Sequence, residues 1–173
     1  MKISSVFSAS LRLSGLLLLC CIAIAAQVPS PRSVLGFNPT DDKTIADWGQ
    51  ITDYFAKLDK ASKNVTVKEI GKSTNGKPLI VAFISSAKNI KDLEKYRQIS
   101  AKLADPRTIS SDSELNDLIK NGKTIVSISC SIHSTEIVAS QMSMNLAYEL
   151  ATATDADTKE VLDNTILLLI PSS

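Results

Sequence analysis

Between Asp41 and Ile170 the apolar residues recur with two rhythms, one of every third or fourth position and one of every second. Ile45, Trp48, Ile51, Phe55 and Leu58 follow at spacings of three and four, which predicts a helix with one apolar face, capped by Asp41 or Asp42. Val65, Val67 and Ile70 are interleaved with polar residues, the period of a half-buried strand. Thr74-Asn75-Gly76-Lys77-Pro78 is turn chemistry and Leu79 to Ile84 is a second, more apolar strand, so the two predict a hairpin. Ile90, Leu93, Tyr96, Ile99 and Leu103 give another helical stripe, closed by Asp105-Pro106. Ser111 to Asn121 reads as a short helix with Leu115, Leu118 and Ile119 inward, stopped at Gly122.

The remainder is more apolar. Thr124 to Cys130 is a strand of small and β-branched residues. Ile137 to Leu150 is a helix apolar nearly all round, with a narrow polar stripe at Gln141, Asn145 and Glu149, the pattern of a helix buried in a larger protein. Thr158 to Asp163 is a short helix, and Thr165 to Ile170 reads as a strand buried on both faces, as in parallel sheets. Strand, crossover helices and strand predict a βαβ unit. The expected class is α/β, a mixed sheet with flanking helices, occupying residues 41–173, with no internal repeat.

Ahead of that domain, Lys2 and Arg12 are the only charges before an apolar and small-residue run from Leu13 to Ala26, with Ala23-Ile24-Ala25 as a small-x-small pattern. The run is about 14 residues, short of the roughly 20 that span a bilayer. Residues 1–25 are therefore expected to be a secretory signal cleaved near Ala25 or Ala26, leaving no stable membrane anchor and a secreted or periplasmic product. Residues 26–40, with Pro29, Pro31 and Pro39, read as a linker. Cys20 and Cys21 would leave with the signal and Cys130 would remain, so no internal disulfide is expected and stability must come from an ordinary core. Aromatic residues are only 5% of the chain, so that core is mainly Ile, Leu, Val and Ala. With 19 Lys plus Arg against 18 Asp plus Glu, the chain lacks the basic excess of a nucleic-acid-binding surface.

The single histidine, His133, limits the chemistry severely, because any Ser-His-Asp triad or histidine metal site would have to be built around it. Gly122-Lys123-Thr124 ends like a phosphate-binding loop, but Asp117 stands where its first glycine belongs and a strand follows. Ser85-Ser86-Ala87-Lys88 matches Ser-x-x-Lys, without the partner motifs Ser-Asp-Asn and Lys-Thr-Gly. Asn64-Val65-Thr66 is a glycosylation sequon, meaningful only in a eukaryotic secretory route. There remains Ser131-Ile132-His133-Ser134-Thr135-Glu136, in which the histidine closely follows the end of a strand and the glutamate begins the next helix. At a strand's carboxyl end such residues open onto the crevice where open α/β folds place ligands. Three apart at a helix start they can point the same way. An imidazole and a carboxylate so placed are either an ordinary polar pair or two ligands of one divalent metal.

The segment from Thr124 to Glu149 resembles the metal-binding strand-loop-helix of the zinc carboxypeptidase family, the carboxypeptidase A-like metallopeptidases. The likeness extends upstream to Glu69-Ile70-Gly71-Lys72-Ser73-Thr74-Asn75-Gly76-Lys77-Pro78-Leu79, similar to that family's first hairpin. Downstream, Thr165 to Ser172 resembles the strand that runs into the family's Pro-x-x-Asn-Pro-Asp-Gly segment. Gly36-Phe37-Asn38-Pro39 ahead of the Trp48 helix suits a bacterial-type exported branch. The resemblance covers most of residues 36–173 and implies the N-terminal half of a zinc-carboxypeptidase-like fold.

By that resemblance His133 and Glu136 are the first two ligands of one Zn2+ ion, and the reaction is metal-assisted hydrolysis of a peptide or protein substrate. The family's third ligand is a histidine about a hundred or more residues further on. Its general-base glutamate and carboxylate-binding arginine lie in the same missing part, so they are expected downstream of Ser173. Arg12, Arg32, Arg97 and Arg107 match none of these positions. The expectation is a truncated chain of an exported metallocarboxypeptidase, with no general base of its own. The alternative is a non-catalytic secreted binding module derived from that fold.

Overall fold

The computed structural model describes residues 27–172. The expected signal segment 1–25, Cys20, Cys21 and the cleavage point near Ala25 or Ala26 lie outside the described residues. The stretch expected as a linker holds a one-turn helix, α1 (Pro31–Leu35). Ser30 caps it by accepting the Ser33 amide, Pro31 occupies a position that needs no N–H, and Gly36 ends it at φ +82°. Val34, Leu35 and Phe37 of this stretch pack, partly buried, against the core.

Helix α2 (Trp48–Ala61) starts later than Asp41 or Asp42 would place it. Its cap is Asp47, which accepts the Gln50 amide while the Gln50 side chain accepts the Asp47 amide. Asp41 is committed elsewhere, accepting from the backbone and side-chain amides of Asn38 at 2.8 and 3.0 Å. Ile45 therefore precedes the helix and is exposed.

Strands β1 (Val65–Lys72) and β2 (Pro78–Ile84) form the expected antiparallel hairpin, turned at Gly76 with φ +71°. The second helical stripe is divided at Asp92 into α3 (Ala87–Lys91) and α4 (Leu93–Ala104). In α5 (Asp112–Asn121) Leu115 and Leu118 are half-buried but Ile119 is exposed, not inward as the pattern suggested. That helix packs mainly on α4, and one neighbour covers only a narrow stripe.

Next come β3 (Thr124–Ser129), α6 (Ile137–Thr152), α7 (Ala156–Asn164) and β4 (Thr165–Ile170). The sheet order is β1-β2-β4-β3, with β2 antiparallel and β3 parallel to β4, so the sheet is mixed and the class α/β, as expected. On one face α2 and α6 enclose the core, in which Tyr54, Phe55, Leu58, Ala82, Ile84, Met144 and Leu169 are fully buried. On the other, α4 lies over Phe83, Ile166 and Leu168, leaving an apolar cavity of about 220 Å³. β4 buries Ile166, Leu167 and Leu169 on both faces. β3 is mostly exposed.

Helix α6 buries Met144, Ala147 and Ala151 as an apolar helix should, but its first turns depart from the expected pattern. Ser140, Gln141 and Ser143 are buried, while Ile137, Val138 and Met142 are exposed. The buried amide has partners at both ends: Gln141 Nε2 donates to the Pro39 carbonyl at 2.9 Å and Oε1 accepts the Ala46 N–H at 2.8 Å. A buried polar group that is fully bonded no longer opposes folding. Among the described residues no helix is long and apolar enough to cross a membrane.

Candidate metal centre

β3 and β4 are parallel and in continuous register from Thr124↔Thr165 to Ser129↔Ile170, so both strands end on the same side of the sheet. The Cys130 N–H extends the pairing by one residue, donating to the Ile170 carbonyl at 2.9 Å. The Cys130 thiol turns into the core, and burial pushes its pKa up, which makes it a packing group rather than a metal ligand. The chain then leaves the sheet through Ser131 at φ +49°, a left-handed conformation uncommon outside glycine and costing roughly 1 kcal/mol or more.

Four residues, His133 to Glu136, make a turn closed by the Glu136 N–H donating to the His133 carbonyl at 3.0 Å. Both side chains stand on one side of it, with His133 Nδ1 2.9 Å from Glu136 Oε1. An ionised carboxylate only accepts, so a hydrogen bond between them takes its proton from Nδ1. Two tetrahedral ligands about 2.0–2.2 Å from a zinc ion stand about 3.3 Å apart, close to the spacing already present, so zinc fits in place of that proton. The two side chains are 72% and 52% exposed and reachable from solvent. Among the described residues no third His, Cys, Asp or Glu converges on them, so the pair supplies two donors and not a complete set.

The backbone under the pair is anchored by two serines that sequence reasoning missed. Ser131 Oγ donates to the Glu136 carbonyl at 2.7 Å and accepts the Ser140 N–H at 3.2 Å. Ser140 Oγ lies 2.8 Å from Ser131 Oγ and 2.7 Å from the Pro171 carbonyl. For Ser140 the available signal was its place beside Gln141 and Ser143 in the first turns of a mostly apolar helix; Ser131 carried none. Beside the loop a cleft of about 190 Å³ is walled by Ile45, Trp48 and Ile137, with Ser131 and Ser134 at its side. A broader groove of about 750 Å³ between α4 and α5 is lined by none of the candidate residues. Ser85, of the Ser-x-x-Lys match, is buried, with Oγ 2.8 Å from the Leu162 carbonyl and 2.7 Å from that of Thr165, and is inaccessible as a nucleophile.

A family model described as zinc carboxypeptidase matches residues 51–173, a span that contains both strands, the loop and α6. The chain belongs to the zinc carboxypeptidase family. The fold agrees. The carboxypeptidase A of Helicoverpa armigera superposes with a TM-score of 0.50 at 19% identity, over 82% of this chain and 30% of that one. Thrombin activatable fibrinolysis inhibitor superposes with a TM-score of 0.53 at 11% identity, over 87% of this chain and 31% of that one. At such identities the likeness is one of fold. The chain thus spans about 30% of the length of these structures. No curated protein matches it by sequence.

Proposed function

We propose that this chain is the part of an exported zinc carboxypeptidase that supplies the first two metal ligands, His133 and Glu136. What carries the reading is the 2.9 Å approach of His133 Nδ1 to Glu136 Oε1 at the carboxyl end of a parallel strand pair, in a chain of this family. Zinc held there would polarise the scissile carbonyl and acidify a bound water. His133 serves as a neutral imidazole donor and Glu136 as an anionic one, and the turn between them keeps both on the solvent side. The third ligand, the general base and the arginine that pairs with the substrate's terminal carboxylate come from outside residues 1–173. Export rests on the signal pattern of residues 1–25, and N-terminal sequencing of exported protein should begin just after Ala25 or Ala26.

Zinc retention and release of C-terminal amino acids from peptides, measured on the complete protein, test the assignment. His133→Ala and Glu136→Ala should each abolish both. Unchanged zinc content and turnover in both variants would overturn it. The 173 residues alone should bind zinc weakly and show negligible turnover, because two donors do not close a zinc site.

A further inference from the structure

We infer that Ser131 and Ser140 are positioning residues for the metal pair, holding the spacing of His133 Nδ1 and Glu136 Oε1 ready for a zinc ion. This rests on the zinc reading above. His133 and Glu136 are themselves exposed, so packing does not hold their side chains. Whatever order the pair has must come from the backbone beneath it.

That backbone is tied at three points, two of them within the loop and the start of α6 and the third 31 residues on from Ser140. Ser131 Oγ bonds the carbonyl of Glu136, a ligand residue, and thereby fastens the entry of the loop to its exit. Ser140, buried in the first turn of α6, approaches Ser131 through both its N–H and its Oγ. The same Oγ reaches the Pro171 carbonyl just past β4. With the Ser131 proton given to Glu136, the single Ser140 hydroxyl proton is shared in turn between Ser131 Oγ and Pro171. Either way the Ser140 N–H keeps the loop fastened to α6, and when the hydroxyl proton goes to Pro171 that helix turn is fastened in addition to the exit of the neighbouring parallel strand.

The φ of +49° at Ser131 is the second sign of this restraint. A non-glycine residue keeps that conformation only where its surroundings determine it. Here the surroundings are the bonds made by its own hydroxyl. Were Ser131 to relax to negative φ, its Oγ would leave Glu136 and Ser140, and the turn carrying both ligands would reorient. Groups that orient metal ligands without touching the metal typically change its affinity 10–100-fold.

The test is zinc affinity by chelator competition on the complete protein, with the thermal midpoint of the metal-free protein measured alongside. Wild type, Ser140→Ala, Ser131→Gly and His133→Ala are compared. Ser131→Gly separates positioning from folding, since glycine accepts positive φ freely while the hydroxyl is lost. It also decides the matter if Ser140→Ala does not fold. Zinc binding weakened at least tenfold in the folded serine variants, with the metal-free midpoint of Ser131→Gly near that of wild type, is the expected result. A smaller loss of affinity, whatever happens to the midpoint, overturns the positioning role while leaving the zinc site intact, provided His133→Ala loses the metal. Wild-type affinity in His133→Ala overturns both readings together.

Discussion

Among the described residues β1 and β3 are the two edge strands of the sheet, and they are finished in opposite ways. β1 carries Lys68, Glu69 and Lys72 and breaks register between Glu69 and Gly71. Charges and an irregular register are the devices by which natural sheets refuse a further strand. β3 has neither: Thr124 to Ser129 contains no charge and pairs with β4 without a shift. Ile125 and Val126, on opposite faces, are 43% and 41% exposed. One edge is closed by its own sequence, and the other has the composition of an interior strand. The loop bearing His133 and Glu136 leaves the sheet from that open strand. Among the described residues, the strand without an outer neighbour and the His133–Glu136 pair share one side of the molecule.

The largest effect that would break this contrast lies in the strand next to β3. Leu169→Ala on β4, fully buried, should lower stability by about 3–5 kcal/mol in urea unfolding. Val126→Ala on β3 should cost less than about 1 kcal/mol in the same chain, since its side chain is already 41% exposed. Equal losses would mean that β3 is as enclosed as β4.

A smaller effect sharpens the contrast between the edges. The isolated chain should self-associate through β3, seen as concentration-dependent sedimentation. Val126→Lys should suppress this with a stability change within about 1 kcal/mol, while a charge already present on β1 has no such work to do. Association unchanged by Val126→Lys would place the contact elsewhere.

The smallest effect belongs to neither edge. Glu94, bonded to Arg97 and Gln98, and Glu114, bonded to Lys102 and Ser110, have pKa values lowered from the ordinary 4.5 to about 2. Their stabilisation is complete above pH 4.5 and is lost as pH falls toward 2. Glu114→Gln should therefore flatten the acid limb of the stability curve over that interval and leave self-association alone. Because the Arg97–Glu94 pair is exposed and the Lys102–Glu114 pair only partly buried, added salt should shrink the difference.

The hairpin, the parallel pair and the helices around them were readable from periodicity, since each buries a face that the alternation or the three-four spacing already marks. The start of α2 was not, because three aspartates precede it and only Asp47 has a glutamine three residues on to complete the reciprocal cap. The burial of Gln141, one member of the polar stripe of α6, was not readable for a tertiary reason: it is drawn inside by the Pro39 carbonyl and the Ala46 amide, about a hundred residues away. The spacing of His133 and Glu136 was legible, and so was their position after a strand. The two serines beneath them were not, as their bonds link a loop, a helix start and a strand exit that no local pattern joins.

The amide of Gln141 also decides how the native molecule opens. The segment from Pro39 to Ala46 contributes few apolar side chains to the core, and by packing alone it would exchange its amide hydrogens as a loose strap. Swinging it away strands both ends of a buried amide in the first turns of α6, and a stranded buried donor and acceptor are expensive. Release of the strap and fraying of that helix end are thereby one event. The Ala46 N–H, outside any helix or strand, should therefore exchange its hydrogen together with the first turns of α6, which native-state hydrogen exchange would show.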